Sequence, residues 1–70
     1  MRYAIYLFGG YNGSPCFQSA LDYARDQVKN HYIETGCSGE SFAVVYDKLS
    51  HYRWFVWMDE NYVVRYKLIK

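Results

Sequence analysis

The sequence predicts an α+β fold: one domain over residues 1–70, ordered β-α-β-β-β, with a single helix packed on a four-stranded, mainly antiparallel sheet. Three observations predict it. Residues 14–34 repeat apolar side chains at spacings of three and four; residues 2–8 and three later runs are rich in Val, Ile, Tyr, Phe and Trp; and short polar connections separate these segments. A chain of 70 residues holds one core and buries only about 60% of the surface its unfolded form exposes, so that core needs large side chains. Nine tyrosines, four phenylalanines and two tryptophans supply them, each able to bury on the order of 150–250 Å².

In the first strand, Arg2 to Phe8, Tyr3, Ile5 and Leu7 alternate with Ala4, Tyr6 and Phe8. Both sets are apolar, so the strand is expected to be central or covered on both faces, and to lie parallel to one later strand through a right-handed crossover. Gly9 to Ser14 reads as a flexible connection into the helix; it lacks the lysine of a phosphate-binding loop and the spacing of a dinucleotide fingerprint. The helix spans Ser14 to Glu34, with Ser14 as N-cap and Pro15 in the first turn, where its missing N–H costs nothing. Phe17, Ala20, Leu21, Ala24, Val28 and His31 form its apolar stripe, and Gly36 suits the left-handed residue that ends a helix.

After the polar link CSGE, the runs Ser41 to Asp47, Tyr52 to Met58 and Tyr62 to Ile69 predict an antiparallel meander. A four-residue loop at Lys48 to His51 sets Val44 opposite Phe55 and Phe42 opposite Trp57. A two-residue turn at Glu60 and Asn61 sets Trp57 opposite Val64, Phe55 opposite Tyr66 and Arg53 opposite Leu68. The helix-facing side then carries Tyr3, Ile5, Leu7, Phe42, Val44, Phe55, Trp57, Val64, Tyr66 and Leu68. The other side carries Tyr6, Phe8, Val45, Tyr52, Trp54, Val56, Met58, Val63, Arg65 and Lys67, and with one helix available nothing in the chain covers it.

Eight basic and seven acidic residues give a net charge of +1, which excludes a strongly acidic DNA mimic and a strongly basic nucleic-acid binder. No apolar run approaches the roughly 18 residues of a membrane span, and the N-terminus is too short and too aromatic for a signal peptide. Cys16 and Cys37 lie at opposite ends of the helix, roughly 30 Å apart at its usual rise, well beyond disulfide reach. With no metal-ligand spacing joining them to His31 or His51, the expectation is two free thiols, no cofactor, no metal and a cytoplasmic location. Asp22 and Asp26 share a helix face with Arg25 and Lys29 nearby and read as solvating charges, not as a catalytic pair.

The uncovered aromatic face is the functional feature. A patch of this kind tends to mark an interface, and Tyr6, Phe8, Tyr52, Trp54, Val56, Met58, Arg65 and Lys67 are its candidate partner-binding residues. A second copy of the chain stacked sheet on sheet would also cover it. Aromatics on an open sheet flanked by Arg2, Arg65 and Lys67 are arranged as in sheets that stack unpaired RNA bases, which makes a single-stranded nucleic-acid module the alternative.

Two family resemblances bear on the choice. The segment HYRWFVWMDENYVVRYKLI resembles the C-terminal strands of RelE-type ribonuclease toxins, and that resemblance implies His51, Arg53, Arg65 and Tyr66 as candidates for RNA cleavage. The strand YAIYLF, the helix pattern F-x-S-A-L-x-Y-A and the strand VVYD together resemble short phage-encoded proteins, including anti-CRISPR inhibitors of β-α-β-β-β layout. Such inhibitors share no motif, so no binding residue carries over. The resemblance implies a non-enzymatic inhibitor acting in the host cytoplasm, where it blocks a host protein or nucleoprotein complex.

Overall fold

The computed structural model describes residues 1–7, 9–36 and 41–70. The chain runs β1 (Tyr3–Leu7), β2 (Gly10–Ser14), α1 (Phe17–Thr35), β3 (Phe42–Asp47), β4 (Arg53–Met58) and β5 (Val64–Leu68). All strand pairs are antiparallel, in one sheet ordered β2-β1-β3-β4-β5. The α+β class with one helix on one sheet is the class the sequence implies. Among the described residues the strands number five, not four.

The additional strand is β2, GYNGS, a segment whose composition predicts a flexible connection. It pairs with β1 from Leu7↔Gly10 to Tyr3↔Ser14. Glycine and asparagine give it no apolar alternation, so it carries no period-2 signal; its place at a sheet edge, with all but Ser14 exposed, requires none. By reversing the chain before the helix, β2 also removes the expected parallel crossover. β1 therefore meets β3 antiparallel, with Ile5 opposite Val45.

The helix begins two residues later than predicted, capped at residue 16 and not at residue 14. Cys16, in an extended conformation, is the N-cap and makes no side-chain capping bond, while the Ser14 hydroxyl donates to the Cys16 carbonyl at 3.2 Å. At the other end Gly36 is left-handed (φ 64°) and its N–H donates to the Tyr32 carbonyl, the closure expected of it. Ala20, Leu21, Ala24 and Val28 are buried, and Phe17 and His31 sit at the margin of the stripe.

The β3–β4 register is as predicted, with Val44 opposite Phe55 and Phe42 opposite Trp57. The β4–β5 register is shifted by one residue: Met58 faces Val64, Val56 faces Tyr66 and Trp54 faces Leu68. The turn explains the shift. Glu60, Asn61 and Tyr62 form a three-residue loop in which the Tyr62 N–H donates to the Asp59 carbonyl, Tyr62 is left-handed (φ 62°), and the Asp59 N–H bonds to the Val63 carbonyl. The Asp59 carboxylate accepts the Asn61 and Val63 N–H groups and the Arg65 guanidinium, and these bonds hold its pKa below the usual carboxylate range.

The helix covers the opposite face of β3 and β4 from the one predicted. Ala43, Val45, Val56 and Met58 are buried with Tyr3, Ile5 and the helix stripe, and Trp54 packs on Phe17 with ring centroids 4.6 Å apart. Ala20 and Ala24 bring the helix backbone close to the sheet, and on β3 and β4 the buried positions beneath it are Ala43, Val45, Val56 and the flexible Met58. Phe42, Phe55 and Trp57 are placed on the other side.

One end of the sheet is tied by Asp47. Its carboxylate, almost fully buried, accepts Arg2 Nε at 3.0 Å and Nη2 at 2.9 Å, the Leu49 N–H at 2.9 Å and the Ser50 hydroxyl at 2.8 Å. The Arg2 guanidinium first, then Ser50 and Leu49, hold it well below the usual carboxylate range, against the opposing effect of burial. A depressed folded-state pKa stabilises the fold above the unfolded value near 3.9, and that contribution is lost as pH falls toward the folded value. Asp47→Asn should therefore melt below the wild type at pH 7, and the gap between their urea midpoints should shrink as pH drops below about 4. A gap independent of pH would show that the charge of Asp47 contributes nothing.

Candidate functional site

The sheet face turned away from the helix is built from alternate positions of all five strands: Ala4 and Tyr6 on β1, Tyr11 on β2, Phe42, Val44 and Tyr46 on β3, Arg53, Phe55 and Trp57 on β4, and Arg65 and Lys67 on β5. Because side chains alternate across a strand, the burial of Ile5, Val45 and Val56 under the helix fixes this set on the other side. At its centre Phe42, Phe55 and Trp57 form a ring cluster. Phe55 lies 5.4 Å from Phe42 and 5.6 Å from Trp57, with planes inclined by 29° and 27°. Tyr6 and Tyr11 make a second stacked pair at 5.7 Å.

Two shallow concavities open on this face. One, of about 360 Å³, is lined by Tyr6, Val44, Tyr46 and Arg53; the other, of about 120 Å³, by Phe55, Trp57 and Lys67. The Tyr46 hydroxyl lies 2.7 Å from His51 Nδ1, which fixes the rim of the first. Arg53 donates through Nη2 to the Lys70 backbone oxygen at 2.9 Å, a bond that orients the guanidinium.

The residues proposed from sequence divide between the two faces. Tyr6, Arg65 and Lys67 are on the open face. Val56 and Met58 are buried in the core, and Trp54 is partly buried against Phe17, so none of these three is on the open face. Tyr52 is exposed just before β4 and lies edge-on to Trp54, toward the helix side. Phe8 lies outside the described residues, as does Cys37, and with it the expectation about that thiol; Cys16 is free and exposed. Of the other residues placed on the open face, Val45 is buried under the helix and Val63 is exposed in the turn before β5. Phe42, Val44, Phe55 and Trp57, expected in the core, are the centre of the open face.

The four residues implied by the toxin resemblance do not converge. Arg53 and Arg65 share the open face but lie at opposite ends of the β4–β5 pair, because Arg65 is opposite Trp57, four residues along β4 from Arg53. That separation is about 13 Å along a strand. Tyr66 pairs with Val56 and faces the helix side, and His51 is held by Tyr46.

No protein-family model, curated protein or solved structure matches this chain.

Among the described residues no group of three or more His, Cys, Asp or Glu side chains is placed to hold a metal ion, and no helix is long and apolar enough to cross a membrane. A polar groove of about 300 Å³ between α1 and the start of β5 is lined by Asp22, Arg25, Asp26, Lys29 and residues 62–64. It holds both signs of charge and stands on the far side of the sheet from the ring cluster.

Proposed function

We propose that this chain is a non-enzymatic binding protein that docks a larger protein or nucleoprotein assembly on its open sheet face and obstructs that assembly's work. The observation that carries the reading is the uncovered cluster of Phe42, Phe55 and Trp57, with Tyr6 and Tyr11 beside it, on the face that has no helix. Large apolar rings cost free energy when left in water, and a contiguous patch of them on a small domain is stabilised by a partner that covers it. Tyr, Trp and Arg are also the residue types that dominate interface energetics. The inhibitory part of the reading extends the resemblance to phage-encoded inhibitors, which are binding proteins without catalytic machinery.

The test is affinity capture from extracts of the native cell, with and without nuclease, using the wild type, Trp57→Ala and the helix-face double variant Arg25→Ala/Lys29→Ala. The reading expects a captured assembly that Trp57→Ala loses and the helix-face variant keeps. Capture that survives Trp57→Ala and is lost with the helix-face variant would move the site to the other side of the molecule.

A further inference from the structure

The net charge of +1 conceals how the charges are distributed. Among the described residues no Asp or Glu occupies an open-face strand position, whereas Arg53, Lys67 and Arg65 all do. Asp22, Asp26 and Glu34 are on the helix, Asp47 is buried against Arg2, and Asp59 and Glu60 are in the β4–β5 turn. Asp59 offsets Arg65 in part, and Arg53 donates to the backbone oxygen of Lys70. Each cation is opposite an aromatic ring on the neighbouring strand: Arg53 opposite Tyr46, Lys67 opposite Phe55, and Arg65 opposite Trp57.

We infer that the open face binds an unpaired nucleic-acid strand, with bases against Phe42, Phe55, Trp57 and Tyr6 and phosphates at Arg53 and Lys67. This rests on the open face being the binding surface and names the ligand class for it. Rings beside Arg53 and Lys67, with the Asp59 carboxylate engaged by Arg65 at the turn, match a ligand that alternates flat π-faces with negative charge. A second copy of the chain matches less well, since packing one open face on another buries the cations of both with no Asp or Glu at a strand position of either face to pair them. Paired bases in a duplex offer no free π-face, so the face discriminates single strands from double.

Fluorescence anisotropy of labelled oligothymidylate and oligouridylate of about 20 nucleotides tests this, since each small sheet covers on the order of 4–16 nucleotides. The wild type should bind both single strands at least tenfold more tightly than the matching duplex. Trp57→Ala should weaken binding by about tenfold or more. With two phosphates neutralised, log affinity should fall against log salt with a slope of about −1.4, approaching zero in Arg53→Ala/Lys67→Ala. Lys67→Glu, an exposed change that leaves the core untouched, should abolish binding, while Arg25→Ala/Lys29→Ala should not alter it.

Several results would overturn the inference. One is absence of binding to either single strand while nuclease-resistant capture remains sensitive to Trp57→Ala; the open face would then still be the docking surface, for a protein. Another is a wild-type dimer in sedimentation that Lys67→Glu or Trp57→Ala converts to monomer, which would put a second copy on the face. Oligonucleotide binding lost in Arg25→Ala/Lys29→Ala and intact in Lys67→Glu would remove both the inference and the reading it rests on.

Discussion

Ile5→Ala should lower the stability of this protein by about 2–5 kcal/mol, a large share of what a small domain possesses. Ile5 is 1% exposed, lies opposite Val45 on the face beneath the helix, and belongs to the buried cluster with Leu21, Ala24 and Val28. Removing its side chain leaves a cavity between two rigid layers, and the alanines that set the helix close to the sheet have no side chains long enough to fill it. Phe55→Ala is the informative comparison. Phe55 is larger, yet it is only partly buried and lies on the face without a helix, so truncating it empties space that water can enter. Urea midpoints at constant m-value should show the smaller loss for Phe55→Ala. The reverse order would mean that the two sheet faces are exchanged.

Trp57→Ala should weaken partner binding by about 2 kcal/mol or more, close to thirtyfold, while changing the stability of the free chain far less. Trp57 stacks on Phe55 and pairs across the sheet with Phe42, so its removal opens a gap in the centre of the patch, where interface energy concentrates. The other tryptophan should behave in the opposite way. Trp54 is wedged against Phe17 on the helix side, and Trp54→Ala should lower the urea midpoint directly. Equilibrium binding and denaturation of the two variants, measured together, separate the roles that sequence reasoning assigned the other way round.

The helix stripe was legible because Ala20, Leu21, Ala24 and Val28 alternate with charged residues at helical spacing, and Gly36 marked its end. The β3–β4 pairing was legible from the length of the loop between two apolar runs. What the sequence could not decide was which side of that hairpin the helix covers. On β3 and β4 both faces are apolar: Phe42, Val44, Phe55 and Trp57 on one, Ala43, Val45, Val56 and Met58 on the other. Hydrophobicity favours burying the larger rings, but the short Ala20 and Ala24 admit only the smaller set beneath the helix. Side-chain volume on the helix stripe was the available signal, and it pointed to Val45 and Val56. The β2 strand was hidden because an edge of Gly, Tyr, Asn and Ser carries no pattern, and the β4–β5 shift because Tyr62 takes a left-handed conformation that its side chain does not advertise.

The central claim is that the Phe42, Phe55 and Trp57 face is uncovered in the free chain and covered in the complex. Hydroxyl-radical footprinting of the free protein and of the captured complex measures this residue by residue. The account predicts strong modification of Phe42, Tyr6 and Trp57 in the free chain, weak modification of Met58 despite its reactive sulfur, and protection of the first three on binding. Heavy oxidation of Met58 in the folded free protein, or protection confined to the helix side around Tyr23 and Tyr62, would contradict it.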